Sequence, residues 1–174
     1  LGIKVYVNYM RNTLPETQTI CNYIKSNQIK NFKADILVSG DLKNNGSHFL
    51  SLLVHLMGLN NMKIKDYEIS QDSISFLYGE NQIYLRKIPK VSFPFFSMMI
   101  FHSNGLIEYS EVQKLWRIFE LNSSSSKILK SKQLFLHDSL EINLSLAQDY
   151  FLEYVLNELN PSSMKIDLNT ANII

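Results

Sequence analysis

The sequence predicts an α+β fold. Over residues 3–58, stretches with the pattern of strands alternate with amphipathic helical stretches, which is typical of an α/β layer. From residue 62 the pattern changes to short alternating runs typical of antiparallel strands, and amphipathic helical segments follow. With 174 residues, 45% of them hydrophobic, the chain can bury the core of one domain or of two small ones.

The first part of the chain is predicted to run strand, helix, strand, helix. Residues 3–9 alternate apolar and polar side chains with a period of two. Residues 13–26 follow as a helix. The apolar residues 34–39 predict a buried strand with helices on both faces of its sheet. Residues 47–58 predict a second helix, which Gly58 ends.

A β-hairpin is predicted next. Residues 74–78 and 83–85 alternate apolar and polar side chains, and residues 79–82 lie between them. Gly79 tolerates the positive φ that a tight turn demands. The hairpin marks the start of the antiparallel part of the fold.

Three helices are predicted after the hairpin. Residues 92–103 carry an apolar face, and residues 145–160 form the longest helix, which Pro161 ends. Residues 110–120 have apolar side chains at i, i+3, i+4 and i+7. These side chains are Val112, Leu115, Trp116 and Phe119.

The order of these features over residues 73–117 carries a family resemblance. A hairpin around a Gly turn and an apolar segment precede Asn104-Gly105 and the pattern Ile107-x-x-Ser110-x-x-x-x-Leu115-Trp116. In order and spacing they resemble the start of the winged-helix effector domain of OmpR/PhoB-type response regulators. The resemblance implies a winged helix-turn-helix domain over residues 63–174, preceded by a small α/β segment over residues 1–62.

Within that resemblance, residues 145–160 would be the recognition helix and residues 164–174 the wing. The first lacks Lys and Arg and the second lacks the family's Arg, so the domain would be atypical and degenerate. The contacts to DNA would come from basic residues nearby and from the polar face of the helix. They are Lys114, Arg117, Lys127, Lys130, Lys132, Gln148 and Asn157.

Residues 1–62 would be a receiver-like remnant or a region for dimerisation or partner binding. Residues 34–42 resemble the central strand of a receiver domain, but Asp41 lies one place beyond the expected phosphoacceptor. No acidic pair that could hold Mg²⁺ follows residues 3–9. Regulation through this segment would therefore be independent of phosphorylation.

The loop of residues 40–47 is a further candidate site. It leads from a strand into a helix N-terminus, where free N–H groups can bind phosphate, but it lacks both glycine-rich nucleotide spacings, so an ordinary strand–helix loop is favoured. His48 and His55 have no carboxylate or Cys at ligand spacing. No catalytic arrangement, metal site or cofactor is expected.

The function expected from these observations is that of a DNA-associated transcriptional regulatory protein, not an enzyme. Its expected partners are DNA and a protein partner or a second copy of the chain, with no membrane. A cytoplasmic location is expected because the sequence shows no secretory signal and no long apolar run, and has one cysteine, Cys21.

Two alternatives stay open. The acidic residues Asp149, Glu153 and Glu158 in the helix of residues 145–160 favour a winged-helix protein–protein interaction module. The loop of residues 40–47 favours a small α/β phosphate-ligand-binding protein or enzyme. The net charge of +1 points to no particular partner.

Overall fold

The computed structural model describes residues 9–59, 64–89, 91 and 93–121 with their side chains, and the backbone of residues 134–141. All eight strands in these ranges belong to one mixed sheet, in the order β2-β3-β4-β1-β5-β6-β7-β8. The elements in chain order are a 3₁₀ turn (Met10–Thr13), α1 (Pro15–Ser26), β1 (Phe32–Val38), α2 (Leu42–Met57), β2 (Ile64–Ile69), β3 (Ser73–Tyr78), β4 (Asn81–Lys87), β5 (Phe96–His102), β6 (Gly105–Ser110), β7 (Leu115–Leu121) and β8 (Leu134–Glu141).

Strand β1 lies inside the sheet, between β4 and β5. It runs parallel to β4, with Ile36 opposite Leu85, and antiparallel to β5, with Asp35 opposite Met99. A parallel pair needs a long crossover connection, and α2, β2 and β3 lie in the connection between β1 and β4. The other described pairs are antiparallel. One sheet thus includes residues from both sides of position 62.

Both described helices pack on the same face of the sheet. Alternate residues of β1 are buried there, and the residues between them are more exposed. The buried core combines this face with apolar side chains of α1 and α2. Helices on both faces, as predicted from residues 34–39, are therefore not found among the described residues. Core residues from the three elements include Ala34, Ile36 and Val38 of β1, Ile20 and Ile24 of α1, and Phe49 and Leu53 of α2.

Several predicted elements are confirmed. Helix α1 and strand β1 lie where residues 13–26 and 34–39 predict them, and β3 and β4 form the predicted hairpin. Helix α2 begins five residues earlier than predicted because Asp41 caps it: its carboxylate accepts the backbone N–H of Asn44 at 2.8 Å. Residues 3–8, 145–160 and 164–174 lie outside the described residues.

The winged helix-turn-helix prediction is wrong. Residues 92–103 contain strand β5, and residues 110–120 contain a turn followed by most of strand β7. In β5, Met98 and Ile100 are buried at a period of two, while Phe101 is 44% exposed. In β7, Trp116 and Ile118 are buried in the same alternating way. Short apolar runs satisfy both the helical and the strand period, so periodicity alone did not separate the two structures.

Gly46 provides a test of the packing between α2 and the sheet. A Cβ atom at this position would lie 2.6 Å from Cδ2 of the fully buried Leu85. Replacing Gly by Ala inside a helix normally stabilises it by about 0.5–1 kcal/mol. Here we expect Gly46→Ala to lower the free energy of unfolding by about 1–3 kcal/mol, because the side chain overpacks the core.

Urea unfolding monitored by circular dichroism measures this effect. Ser47→Ala is the matched control, since Ser47 is the next residue of α2 and its hydroxyl bonds only the exposed Asn44 carbonyl, at 2.7 Å. The control is expected to stay within about 0.5 kcal/mol of the wild type. A Gly46→Ala protein as stable as the control would contradict this packing.

Candidate functional site

Polar side chains gather at one end of the sheet. Strands β1, β4 and β6 end there, and β3 and β5 begin there, as their registers show. In open sheets that contain parallel strands, ligands bind outside the carboxyl ends of those strands. We call this end the polar end of the sheet and define it by residues 39–41, 72, 87–89 and 111.

A cleft of about 570 Å³ opens at the polar end. Gly40 and Asp41 line it from the β1–α2 loop, Asp72 from the β2–β3 turn, and residues 87–89 from the segment that ends β4. The Nζ atom of Lys87 lies 3.5 Å from Oδ1 of Asp72, and both side chains are exposed. The cleft therefore offers carboxylate acceptors, one ammonium donor and an apolar wall to a small ligand.

The β1–α2 loop is held in one conformation by local hydrogen bonds. Asn45 donates from Nδ2 to the carbonyl of Ser39 at 2.7 Å, and the Ser39 hydroxyl accepts the Phe95 N–H at 2.9 Å. Gly40 has φ +81°, and a Cβ there would lie 2.6 Å from Asn45 Nδ2. Because the Asp41 carboxylate already accepts a helix N–H, this N-terminus favours a neutral ligand over phosphate.

A partly buried ion pair forms the second part of the polar end. Arg11 of the 3₁₀ turn donates from Nη2 to both carboxylate oxygens of Glu111, at 2.8 and 2.7 Å, and from Nε to Oε2 at 3.0 Å. Only 13% and 15% of the two side chains are exposed. Burial raises the pKa of the Tyr109 phenol, which stays protonated and donates to Glu111 at 3.1 Å. These charges are thereby paired and hydrogen-bonded.

His48 lies on α2 beside this ion pair. The ring of Tyr9 packs against the imidazole edge to face, with centroids 5.1 Å apart. The Nδ1 atom is buried and has no hydrogen-bond partner among the described residues. Burial lowers the pKa of His48, the Arg11 guanidinium lowers it further, and Glu111 acts in the opposite direction. The imidazole is therefore neutral at pH 7 and can accept or donate a proton.

The structure describes two of the seven predicted DNA contacts. Lys114 is exposed in the turn between β6 and β7, with φ +51°. Arg117 lies on β7 and donates to Oε2 of Glu108 at 3.2 Å. Neither residue lies on a helix, contrary to the prediction for residues 110–120. The other five, Lys127, Lys130, Lys132, Gln148 and Asn157, lie outside the described residues.

The ion pair and half of the cleft could not be predicted from the sequence. Arg11 and Glu111 are 100 positions apart in the chain, so no local pattern links them. Asp72 and Lys87 meet only because β3 pairs with β4. A signal did exist for the β1–α2 loop, where an ordinary strand–helix loop was favoured, and for His48, which has no carboxylate or Cys at ligand spacing.

Other kinds of site are missing from the described part of the chain. No group of three His, Cys, Asp or Glu side chains there could hold a metal ion. Among the same residues, no helix has the length and apolarity that crossing a membrane requires.

Solved structures with a similar fold include oxidoreductases. A 3-ketoreductase from Actinomadura kijaniata, in complex with NADP, aligns with a TM-score of 0.64 and 13% identity, over 98% of this chain and 58% of its own. A UDP-N-acetylglucosamine 3-dehydrogenase from Acidithiobacillus ferrooxidans gives 0.58 and 11%, over 95% and 58%. A super-repressor mutant of Gal80p from Saccharomyces cerevisiae gives 0.64 and 8%, over 92% and 54%.

These likenesses concern the fold. The chain spans about 60% of the length of the similar solved structures. No protein-family model matches the sequence, and no curated protein is similar to it in sequence.

The comparisons overturn the predicted function. The OmpR/PhoB resemblance, the DNA-associated regulatory function and the expected partners, DNA first among them, are contradicted. So is the expectation that the chain is not an enzyme, since several similar folds are dehydrogenases or ketoreductases. The resemblance depended on the order of apolar runs and Gly turns, which successive β-hairpins produce equally well. Among the alternatives, that of a small α/β phosphate-ligand-binding protein or enzyme fits better, and within it the enzyme.

Three partly buried histidines predict how stability depends on pH. Burial lowers the pKa of His48, His55 and His102 in the folded chain. An imidazole of the unfolded chain titrates near 6.5, so the unfolded state binds more protons once the pH falls below that value. The free energy of unfolding should therefore be highest above about pH 7 and decrease as the pH falls toward 5.

Urea midpoints at pH 7.5 and pH 5 measure this difference. The triple variant His48→Gln, His55→Gln, His102→Gln should lose much of it, because the groups that titrate are gone. An equal pH dependence in the variant and the wild type would show that other groups cause the effect.

Proposed function

We propose that this chain provides the substrate-binding and proton-transfer part of an oxidoreductase that interconverts a secondary hydroxyl group and a ketone on a hydroxyl-rich substrate. The observation that carries the proposal is the polar cleft at the carboxyl ends of the parallel strands, in a sheet whose fold resembles dehydrogenases and a ketoreductase, with the neutral His48 on the helix that follows β1. A cytoplasmic location belongs to the proposal, because Cys21 is a free, buried thiol.

The described residues do not fit a dinucleotide cofactor. The β1–α2 turn is the place where a strand of the parallel pair leads into a helix N-terminus, as in dinucleotide-binding folds. There the Asp41 carboxylate already accepts a helix N–H at 2.8 Å and would repel a pyrophosphate. The sequence also lacks the Gly-x-Gly-x-x-Gly spacing. A nicotinamide cofactor would have to be bound by other residues, and we assign the cleft to the substrate.

The chemistry of the cleft favours a hydroxyl-rich ligand. Asp41 and Asp72 are acceptors for paired hydroxyl groups, and Lys87 is a donor. Ile88 and Pro89 offer apolar surface to the carbon skeleton of such a ligand. The UDP-N-acetylglucosamine 3-dehydrogenase among the similar folds supports a substrate of this class.

His48 is proposed as the group that exchanges a proton with the reacting oxygen. Glu111, which anchors Arg11 beside His48, follows β6, and β6 is two strands from β1. Strands are spaced about 4.8 Å apart, so Glu111 and the β1 side of the cleft are roughly 10 Å apart across the sheet. An extended ligand can span that distance. A neutral imidazole there can take the proton of a hydroxyl group while the hydride passes to a nicotinamide cofactor, and in the reverse direction the imidazolium returns the proton to the oxygen of the carbonyl.

Gal80p shares the fold, so the fold alone does not decide between turnover and binding. The first test is therefore ligand binding, by thermal unfolding with UDP-N-acetylglucosamine, N-acetylglucosamine and NADP⁺. We expect N-acetylglucosamine to raise the midpoint, because a ligand that binds only the folded state stabilises it. UDP-N-acetylglucosamine should raise it less, since Asp41 opposes its pyrophosphate, and NADP⁺ alone should leave it unchanged.

Variants locate the binding site. Asp72→Asn and Asp41→Asn should abolish the stabilisation by the sugar, since each removes a charged acceptor from the cleft. Glu80→Gln is the control, because Glu80 is exposed in the β3–β4 turn at the opposite end of these strands. If no sugar stabilises the wild type, or if Asp72→Asn responds like Glu80→Gln, the proposed substrate site is wrong.

A further inference from the structure

We infer that Arg11 and Glu111 are positioning residues for His48. Their ion pair anchors the segment of residues 9–13, and this segment holds the imidazole in place. The inference rests on the proposed function only in that His48 exchanges a proton with the substrate. The contacts themselves, and their test, are independent of any ligand.

The segment of residues 9–13 lies along one turn of α2. The ring of Tyr9 contacts the His48 ring at a centroid distance of 5.1 Å. Asn12 donates from Nδ2 to the hydroxyl of Ser51 at 3.0 Å. His48 and Ser51 are three positions apart and thus lie on the same face of the helix. The segment therefore contacts this face of α2 at two separate points, one of which is His48 itself.

Internal hydrogen bonds make this segment a single unit. The Asn12 N–H donates to the Tyr9 carbonyl at 3.0 Å, and the Thr13 hydroxyl donates to the Met10 carbonyl at 2.8 Å. Thr17 of α1 donates its hydroxyl to the Arg11 carbonyl at 2.7 Å. Because these bonds fix the backbone around Arg11, a change in the position of Arg11 also moves Tyr9.

The ion pair connects this unit to the sheet. Arg11 binds Glu111 through two nitrogens, a geometry that fixes direction as well as distance. Its guanidinium carbon lies 5.1 Å from the ring centroid of Phe49 and 5.9 Å from that of Phe96. The Glu111 N–H donates to the Phe96 carbonyl at 3.1 Å, which ties the carboxylate to strand β5. The anchor thus joins α2, the sheet and the segment.

The two charges of the ion pair have opposite effects on the His48 pKa. Tyr9, Arg11 and Glu111 are the titratable or charged groups that face His48 from the packed elements in the described part of the chain. Burial is the largest cause of the lowered His48 pKa; Arg11 lowers that pKa further and Glu111 raises it. By charge alone, removing Arg11 should therefore raise the His48 pKa, and neutralising Glu111 should lower it further.

Two NMR readouts test the inference on the folded chain. The first is the nuclear Overhauser effect between the rings of Tyr9 and His48, which reports position. The second is the pH titration of the His48 imidazole, assigned by comparison with His48→Gln. In Arg11→Met we expect the ring contact to weaken and the His48 pKa to rise. In Glu111→Gln the lost charge lowers the His48 pKa and the lost packing raises it, so the readout for this variant is the ring contact, which we expect to weaken.

Matched variants separate this role from general stability. Arg11→Lys keeps the charge, so the His48 pKa in this variant should stay close to its wild-type value. Arg117→Met breaks the comparable Arg117–Glu108 pair, whose side chains are 26% exposed on the other face of the sheet, and should change neither readout. If Arg11→Met does not fold, Glu111→Asp, which keeps the charge and shortens the side chain, replaces it in the test of the ring contact.

Folded Arg11 and Glu111 variants with an unchanged ring contact and an unchanged His48 titration would overturn the inference. A failure of the sugar-binding test leaves these readouts unaffected, because they need no ligand. Conversely, sugar binding combined with unchanged His48 readouts would support the proposed function and reject the positioning role.

Discussion

The pairing of strand β1 on both sides determines the arrangement of the rest of the structure. Because β1 runs parallel to β4, the chain must cross from one end of the sheet to the other between them, and α2 lies in that connection. Because β1 runs antiparallel to β5, the carboxyl end of β1 meets the start of β5. The polar end of the sheet therefore brings together Asp41, Lys87 and Glu111, which lie at or close to the ends of β1, β4 and β6.

The two ion pairs of the polar end differ in their environment, and this difference determines what each can do. Lys87 and Asp72 are exposed, and a pair of this kind contributes little to stability and can exchange its partners for a ligand. Arg11 and Glu111 are partly buried, and their desolvation offsets much of their attraction. The value of such a pair lies in fixing geometry, because removing either partner leaves an unpaired charge in the interior.

The sequence predicted the elements whose pattern was unambiguous. Helix α1, strand β1 and the β3–β4 hairpin follow from local periodicity and turn residues, and the start of α2 was predicted five residues late. Gly46 lies inside the helix, where the helix packs against Leu85. Strands β5 and β7 were assigned as helices because their apolar residues satisfy both periods. In each, the burial alternates along the strand, and this depends on neighbours that the sequence does not reveal.

The site was predictable only in part, for a related reason. The β1–α2 loop was recognised as a possible ligand site, since it is continuous in sequence. His48 was not predicted as part of the site because the groups that tune it, Arg11 and Glu111, are distant in the chain and become its neighbours only through the sheet. Basic residues such as Arg117 were predicted to contact DNA because of their charge. Arg117 instead forms an ion pair with Glu108 on the neighbouring strand.

The most direct test of the strand pairing that positions this site is a set of cross-strand nuclear Overhauser effects in the isotope-labelled chain. We expect contacts from β1 to both neighbours, at Ile36–Leu85 in the parallel pair and Asp35–Met99 in the antiparallel pair. Helical chemical shifts over residues 96–102, with no contact between β1 and β5, would contradict it.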